Sequence, residues 1–217
     1  MNFQEKWKET VKMGLLQLGV RVDGTRLDLM ALHGRELVKW NKKFNITAIV
    51  DPFEVAVRHF IDSGALAAHL SDHQRVLDIG SGGGFPGLPL KIVNSGLDVV
   101  MVDASRKRIS FVNHLIRSAG LSRVTALHER CEDLARKEGF AQGFDIVVSR
   151  AFTSLERFVV LAMPFLSENG SVLAMKGKEG GSEAKALEGR YGQVNVHGYV
   201  LPFDKHHRSI VTVTPNR

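Results

Sequence analysis

Apolar residues first recur along this chain at helical spacing: Phe3, Trp7, Val11, Leu15 and Leu18 form one stripe, which Leu27, Met30, Leu37 and Phe44 partly repeat. Both segments read as helices that pack on something, with Gly19 and Gly24 bracketing the break between them. Asp51-Pro52-Phe53-Glu54 combines an N-cap acid, a proline at the first helical position and a capping-box glutamate, so a third helix is expected to run toward Leu70. From Arg75 onward the pattern changes. Apolar runs at about 75–79, 98–102, 123–127, 144–148 and 171–175 alternate with helical or mixed segments, which argues for a parallel sheet with crossovers. Val194 to Leu201 and Ser209 to Val213 are joined by Pro202-Phe203-Asp204-Lys205, short enough for a hairpin, so an antiparallel edge is expected. Glu179-Gly180-Gly181-Ser182-Glu183 reads as a polar, flexible loop. The chain is therefore expected to be α/β, with a helical region over 1–70 and a sheet-bearing domain over 71–217.

The run Val76 to Ile79 ends in five glycines within Gly80 to Gly87, where a strand turns into a ligand loop. Two registers compete. Gly82-x-Gly84-x-x-Gly87 satisfies the bare dinucleotide fingerprint, whereas Asp78-x-Gly80-x-Gly82-x-Gly84 places an acid ahead of the first glycine, as S-adenosylmethionine methyltransferases do. A dinucleotide brings a pyrophosphate to this turn, which a carboxylate two residues before the first glycine repels. S-adenosylmethionine brings an ammonium and a sulfonium, which the same carboxylate suits. A second apolar strand ends at Asp103, close to the ~20-residue offset at which a carboxylate accepts hydrogen bonds from ribose hydroxyls. Glycine-rich turns also occur for packing alone; the two acids favour the methyl donor.

With 217 residues, 44% of them apolar, the chain is long enough for one α/β domain with an appendage. The single cysteine, Cys131, excludes an intramolecular disulfide, the charged residues among the first ten are unlike a signal peptide, and Phe158 to Leu166 is too short to span a bilayer. A cytoplasmic protein with no membrane contact is expected. The net charge of +6 permits a polyanionic partner without requiring one. The basic clusters Lys42-Lys43, Arg106-Lys107-Arg108, Lys176 with Lys178, and His206-His207-Arg208 each read first as solvated surface. No HExxH arrangement occurs and adjacent histidines chelate poorly, so no metal is expected.

Five segments carry a resemblance over the whole chain: Asn41 to Ile49 with its Asn45-Ile46-Thr47 centre, Arg58-His59-Phe60-Ile61-Asp62-Ser63, Gly80 to Leu90, Ser149-Arg150-Ala151-Phe152, and Met175-Lys176-Gly177-Lys178. Their order and spacing resemble the ribosomal RNA small subunit methyltransferase G family, also called glucose-inhibited division protein B. That family usually has leucine where Ile46 stands. The resemblance implies a Rossmann-like class I S-adenosylmethionine-dependent methyltransferase: a mostly parallel seven-stranded sheet with helices on both faces and an N-terminal helical extension. It implies transfer of a methyl group to N7 of one guanine in 16S ribosomal RNA, on the RNA or the 30S subunit. Carried onto matching positions, the cofactor contacts are Gly80, Phe85, Cys131, Glu132 and Arg150, with Asp103 expected at the ribose. A monomer is expected, since no long heptad or exposed apolar stripe is visible.

Guanine N7 carries an in-plane lone pair and no proton, so this methylation needs no general base, and no catalytic acid or base is sought. Exocyclic amino methylation typically uses Asn/Asp-Pro-Pro-aromatic after the fourth strand, where this chain has Ser149-Arg150-Ala151-Phe152. Pyrimidine C5 methylation requires a nucleophilic cysteine, and Cys131 follows the third strand, where the cofactor's adenine is expected. Arg and Lys read the N7/O6 edge of guanine, which makes Arg150 and Lys176 the candidates for positioning the base. Asn45, Thr47, Arg58 and His59 are candidates for shaping the target pocket; equally, the first two cap a turn and the second two form a buried link between regions. Two other readings stay open: a small-molecule or protein acceptor, and a nonenzymatic S-adenosylmethionine sensor.

Overall fold

The computed structural model describes residues 3–150 and 154–216. Ala151 and Phe152 of the fourth matching segment lie outside the described residues. Helix α1 (Phe3–Gln17) and helix α2 (Gly24–Phe44) flank the predicted break. Asp23 caps α2 through the amide of Arg26, and Asn45 closes it in the left-handed region at φ 48°. The expected third helix, α3, covers 52–69 but changes pitch on the way: α-helical at Pro52–Val55, π-helical at Ala56–Ile61, α-helical at Asp62–Gly64 and 3-10 at Ala65–His69. Its N-cap is Asp51, as the sequence predicts.

Strands β1 (Arg75–Ile79), β2 (Asp98–Asp103), β3 (Val124–His128), β4 (Phe144–Arg150), β5 (Leu166–Lys176), β6 (Gln193–Val200) and β7 (His207–Thr214) form one sheet in the order β3-β2-β1-β4-β5-β7-β6. Strands β1 to β5 pair in parallel, and β7 lies antiparallel between β5 and the edge strand β6. The hairpin expectation holds. β5 starts earlier than its apolar run because Leu166 already pairs with Phe144, ahead of a register shift.

Successive β1 residues point to opposite faces, and both faces are covered, which is why the central strands read as continuous apolar runs. Val76 faces a core shared with Val11, Leu15, Met30, Leu37 and Phe60 of α1–α3, while Leu77 and Ile79 face a second core built with Leu155, Phe158 and Ala184. The apolar core thus runs across residue 70, and the helical region packs directly on α4 (Gly87–Val93) and α5 (Arg106–Ser118).

Two local expectations differ. Phe44 does not extend the buried stripe of α2; it is 40% exposed in the last turn, and Met30, His33 and Leu37 carry the inner face. The segment after Glu179 is not a loop but a helix, Gly180–Lys185, with Ala184 buried. A Cβ at Gly180 would stand 2.0 Å from Ser209 Oγ, so the glycine that looks like flexibility is a close packing contact with β7.

Candidate functional site

The glycine loop leaves β1 at its carboxyl end, beside the end of β2. Gly80, Gly82 and Gly84 have φ of 73°, 57° and 86°, a region that side chains bearing a Cβ rarely occupy. Two buried acids fasten this loop. Asp78 Oδ2 accepts from the Gly87 amide at 2.9 Å, and Gly87 must lack a Cβ because one would stand 2.9 Å from that same oxygen. Asp103 Oδ2 accepts from the Gly82 amide at 2.9 Å, and its Oδ1 accepts from the Ser105 amide at 2.8 Å. Asp78 Oδ1 is buried with no hydrogen-bond partner among the described residues. Burial pushes the Asp78 carboxyl up to about 7, against the opposing pull of the Gly87 amide and the Arg150 charge.

Between the ends of β1, β2 and β3 lies a cleft of about 280 Å³. It brings together Gly80, Asp103, Cys131 and Glu132, four of the residues expected at the cofactor. Arg108 also lines it, its Nη1 3.5 Å from Asp103 Oδ2. Arg108 reads as solvated surface from sequence alone; its signal is the basic cluster that starts three residues past Asp103. Cys131 is buried and its thiol donates to Glu132 Oε2 at 3.3 Å. Burial, then the neighbouring carboxylate, push that thiol up to about 11, so it stays protonated at neutral pH and is no nucleophile.

Phe85 stands elsewhere. The expectation that its ring packs on the cofactor meets a ring only 3% exposed, with imidazoles on both faces: His33 of α2 at 4.5 Å and 14°, and His59 of α3 at 4.5 Å and 19°. Phe60 meets it edge-on. The helical extension, which the loop sequence does not reveal, covers this ring. His33 Nε2–H donates to the Gly83 carbonyl at 2.8 Å, since a carbonyl only accepts, and its Nδ1 has no partner among the described residues. Burial pushes His33 down to about 4 and His59 down to about 2, so both rings are neutral. His33 was missed from sequence; its signal was a histidine between Met30 and Leu37 on the inner face of α2.

Thr47 joins this stack, its Oγ1 3.0 Å from His59 Nε2 and accepting from the Ile49 amide at 3.1 Å. Asn45 caps α2. The Asn-Ile-Thr segment therefore makes a hydrogen-bonded corner behind the glycine loop. Arg58 and His59 fall in the π-helical turn of α3, a feature often found at functional sites. The Arg58 carbonyl accepts from Arg150 Nη1 at 2.7 Å, which ties the end of β4 to α3. The Arg150 guanidinium lies 5.2 Å from the centre of the Phe85 ring and carries a charge opposite to Asp62 and Asp78. Arg150 is thus beside the glycine loop but outside the cleft lining. Lys176 is not brought to it: its ammonium pairs with Glu183 Oε2 at 2.9 Å, on the helix after β5.

The residues present fit S-adenosylmethionine. A buried carboxylate oxygen without a hydrogen-bond partner stands two residues before Gly80, an acid ends the second strand, and no atom outside Gly82's own neighbours comes closer than 4.0 Å to where its Cβ would lie.

Residues 26–211 match the family model described as rRNA small subunit methyltransferase G. Proteins named ribosomal RNA small subunit methyltransferase G are similar over nearly the whole chain. The one from Geobacter sp. (strain M21) is 41% identical over 214 residues, 96% of this chain and 98% of that one. The one from Oceanobacillus iheyensis is 36% identical over 210 residues, 94% of this chain and 88% of that one. Among solved structures, a SAM-dependent methyltransferase from Aquifex aeolicus superposes with TM-score 0.58 at 14% identity, covering 78% of this chain and 97% of its own. TYW2 of M. jannaschii in complex with AdoMet gives TM-score 0.53 at 13% identity over 72% of this chain and 74% of its own. At such identities the likeness establishes the fold, that of the Rossmann-like class I methyltransferases.

Proposed function

The chain belongs to the rRNA small subunit methyltransferase G family, and from that premise we propose that it methylates N7 of a specific guanine in 16S ribosomal RNA. It is an S-adenosylmethionine-dependent methyltransferase. The observation that carries the reading is the cleft at the ends of β1, β2 and β3, where Gly80, Asp103, Cys131 and Glu132 meet beside the half-paired Asp78. When bound, S-adenosylmethionine supplies an electrophilic methyl group on a sulfonium.

In this reading Gly80 gives the donor close access to the backbone, Asp103 accepts from ribose hydroxyls with lone pairs its amide donors leave free, and main chain at Cys131 and Glu132 meets the adenine. Arg150 closes the wall toward the acceptor, and Phe85 braces the loop from behind. No residue needs to take a proton, because guanine N7 bears none. The neutral, buried His33 and His59 and the protonated Cys131 suit that chemistry. The work left to the protein is to hold nucleophile and methyl carbon in line, an orientation effect that can supply ~7 kcal/mol or more.

Region 1–70 acts here as a brace and acceptor wall, and 71–217 as the donor-binding domain. The protein acts as a cytoplasmic monomer on the 30S subunit or its naked RNA; among the described residues no helix is long and apolar enough to cross a membrane. The test offers labelled methyl donor with 30S subunits, naked 16S RNA and small molecules. Label at a guanine N7 of the RNA is expected; label in a small molecule, a protein or a pyrimidine would overturn the acceptor.

A further inference from the structure

The turn between β6 and β7 carries two features that the methyl-transfer site does not use. Phe203, at its tip, is 46% exposed and held at φ 67°; Lys205 sits at φ 56°. Left-handed backbone is uncommon for a bulky residue and marks a position that the surrounding structure over-determines. Here the fold holds it from two sides: the amides of Asp204 and Lys205 both donate to the Leu201 carbonyl, and Asp204 Oδ2 accepts from Arg58 Nε at 3.0 Å. The ring this strain presents to solvent meets a second exposed ring, Phe53 at the start of α3, 51% exposed with centroids 6.3 Å apart.

Next to this aromatic step opens a cleft of about 370 Å³ lined by Arg58, Lys178, Lys205, His206, His207 and Arg208. Of its four permanent cations, Arg58 pairs with Asp204 and Glu54 and Arg208 with Asp62, while Lys178 and Lys205 have no ion pair among the described residues. Arg208 Nε lies 3.7 Å from Asp62 Oδ1, beyond hydrogen-bond distance, and makes no hydrogen bond among the described residues. Arg58 links this cleft to the end of β4: its side chain holds the hairpin tip, while its carbonyl accepts from Arg150.

We infer that Phe203 and Phe53 form a stacking step, and the adjoining cleft a phosphate seat, for unpaired nucleotides next to the target guanine. Aromatic faces take splayed-out bases, which a duplex keeps stacked, and clustered Lys and Arg take the phosphates between them. Isolated exposed aromatics are ordinary on protein surfaces. Here Phe203, held in a strained conformation, and Phe53, tilted 58° to it, expose two ring faces beside a cationic cleft, the combination that suits single-stranded recognition. The inference rests on RNA being the acceptor and adds that the contacted segment is single-stranded.

The test measures binding of a labelled single-stranded RNA and of the matching duplex to the full-length protein by anisotropy across a salt series, for wild type, Phe203→Ala, Phe203→Trp and Lys205→Ala. Phe203→Ala should weaken the single strand about tenfold, within the range for one base lost from an aromatic face, with the salt slope unchanged. Phe203→Trp should restore it, and Lys205→Ala should flatten the salt slope by about one. Wild-type affinity for the single strand in Phe203→Ala, or an equal loss for the duplex, overturns the stacking step. Methyl transfer to 16S RNA by the same wild-type preparation separates the two claims: transfer present with Phe203→Ala indifferent defeats the step alone, and no transfer defeats the acceptor beneath it.

Discussion

The two histidines that enclose Phe85 make acid stability a direct test of the buried stack. His33 is 2% exposed, hydrogen-bonded to Gly83 through Nε2–H, and pushed by burial from 6.5 down to about 4. A base with a depressed folded-state pKa binds fewer protons than in the unfolded chain between those values. Its contribution is therefore complete above 6.5 and is lost as pH falls toward 4. At ~1.36 kcal/mol per unit, the loss is about 1.4 kcal/mol at pH 5.5 and about 3 kcal/mol at pH 4. Asp78 works in the opposite sense: its raised pKa of about 7 makes it stabilising at low pH, an effect lost as pH rises through 7. The wild-type profile alone therefore mixes these two with His59, which burial also depresses. His33→Phe separates out His33, because it keeps a ring in the stack and leaves His59 and Asp78 in place. Stranding the Gly83 carbonyl should cost about 1–3 kcal/mol at any pH. Urea unfolding from pH 7.5 to 5 should show the variant's deficit shrinking by about 2 kcal/mol as the wild type loses the imidazole contribution. A deficit that stays constant across that range would refute the neutral buried imidazole.

Three further outcomes follow from the donor cleft and its surroundings. Gly80→Asp, which puts a Cβ at φ 73° and a charge into the loop, should abolish S-adenosylmethionine binding by calorimetry; unchanged affinity would remove the loop from the donor site. Donor affinity should rise several-fold between pH 6 and 7.5 as Asp78 ionises, and Asp78→Asn should flatten that rise; a pH-independent wild type would show that Oδ1 does not meet the cation. Lys176→Ala should lower unfolding stability by about 0.5–1 kcal/mol, since Glu183 loses its ammonium partner but keeps the Leu155 amide, with donor affinity unchanged; an unaltered melting temperature would mean that the pair contributes nothing.

Much of the fold could be read before any coordinates because each element announces itself locally. Asp51-Pro52 starts a helix through a cap and a fixed φ, and Val76 to Ile79 pairs as a central strand because both of its faces are apolar. That Gly80 and Asp103 come together was legible for the same reason. Gly80 and Asp103 sit at ends of adjacent parallel strands, and topology carries those ends to one place. Side chains whose partners come from other elements were not legible. Glu183 takes the Lys176 charge only because Gly180–Lys185 is a helix where the sequence reads as a loop, and nothing near Phe85 says that two helices some 50 and 26 residues earlier will cover it.

The sequence by itself determined the element order, the parallel sheet with its antiparallel hairpin, and the choice of a cationic donor over a pyrophosphate. These depend on periodicity, backbone freedom and the sign of one charge, all local properties. Only the tertiary structure decided that Phe85 is clamped between His33 and His59, that Asp78 is left with one unpaired oxygen, and that Arg58 links Arg150 to the β6–β7 turn. Burial and long-range pairing set those outcomes, because a side chain's protonation and reach depend on what the whole fold removes from water around it.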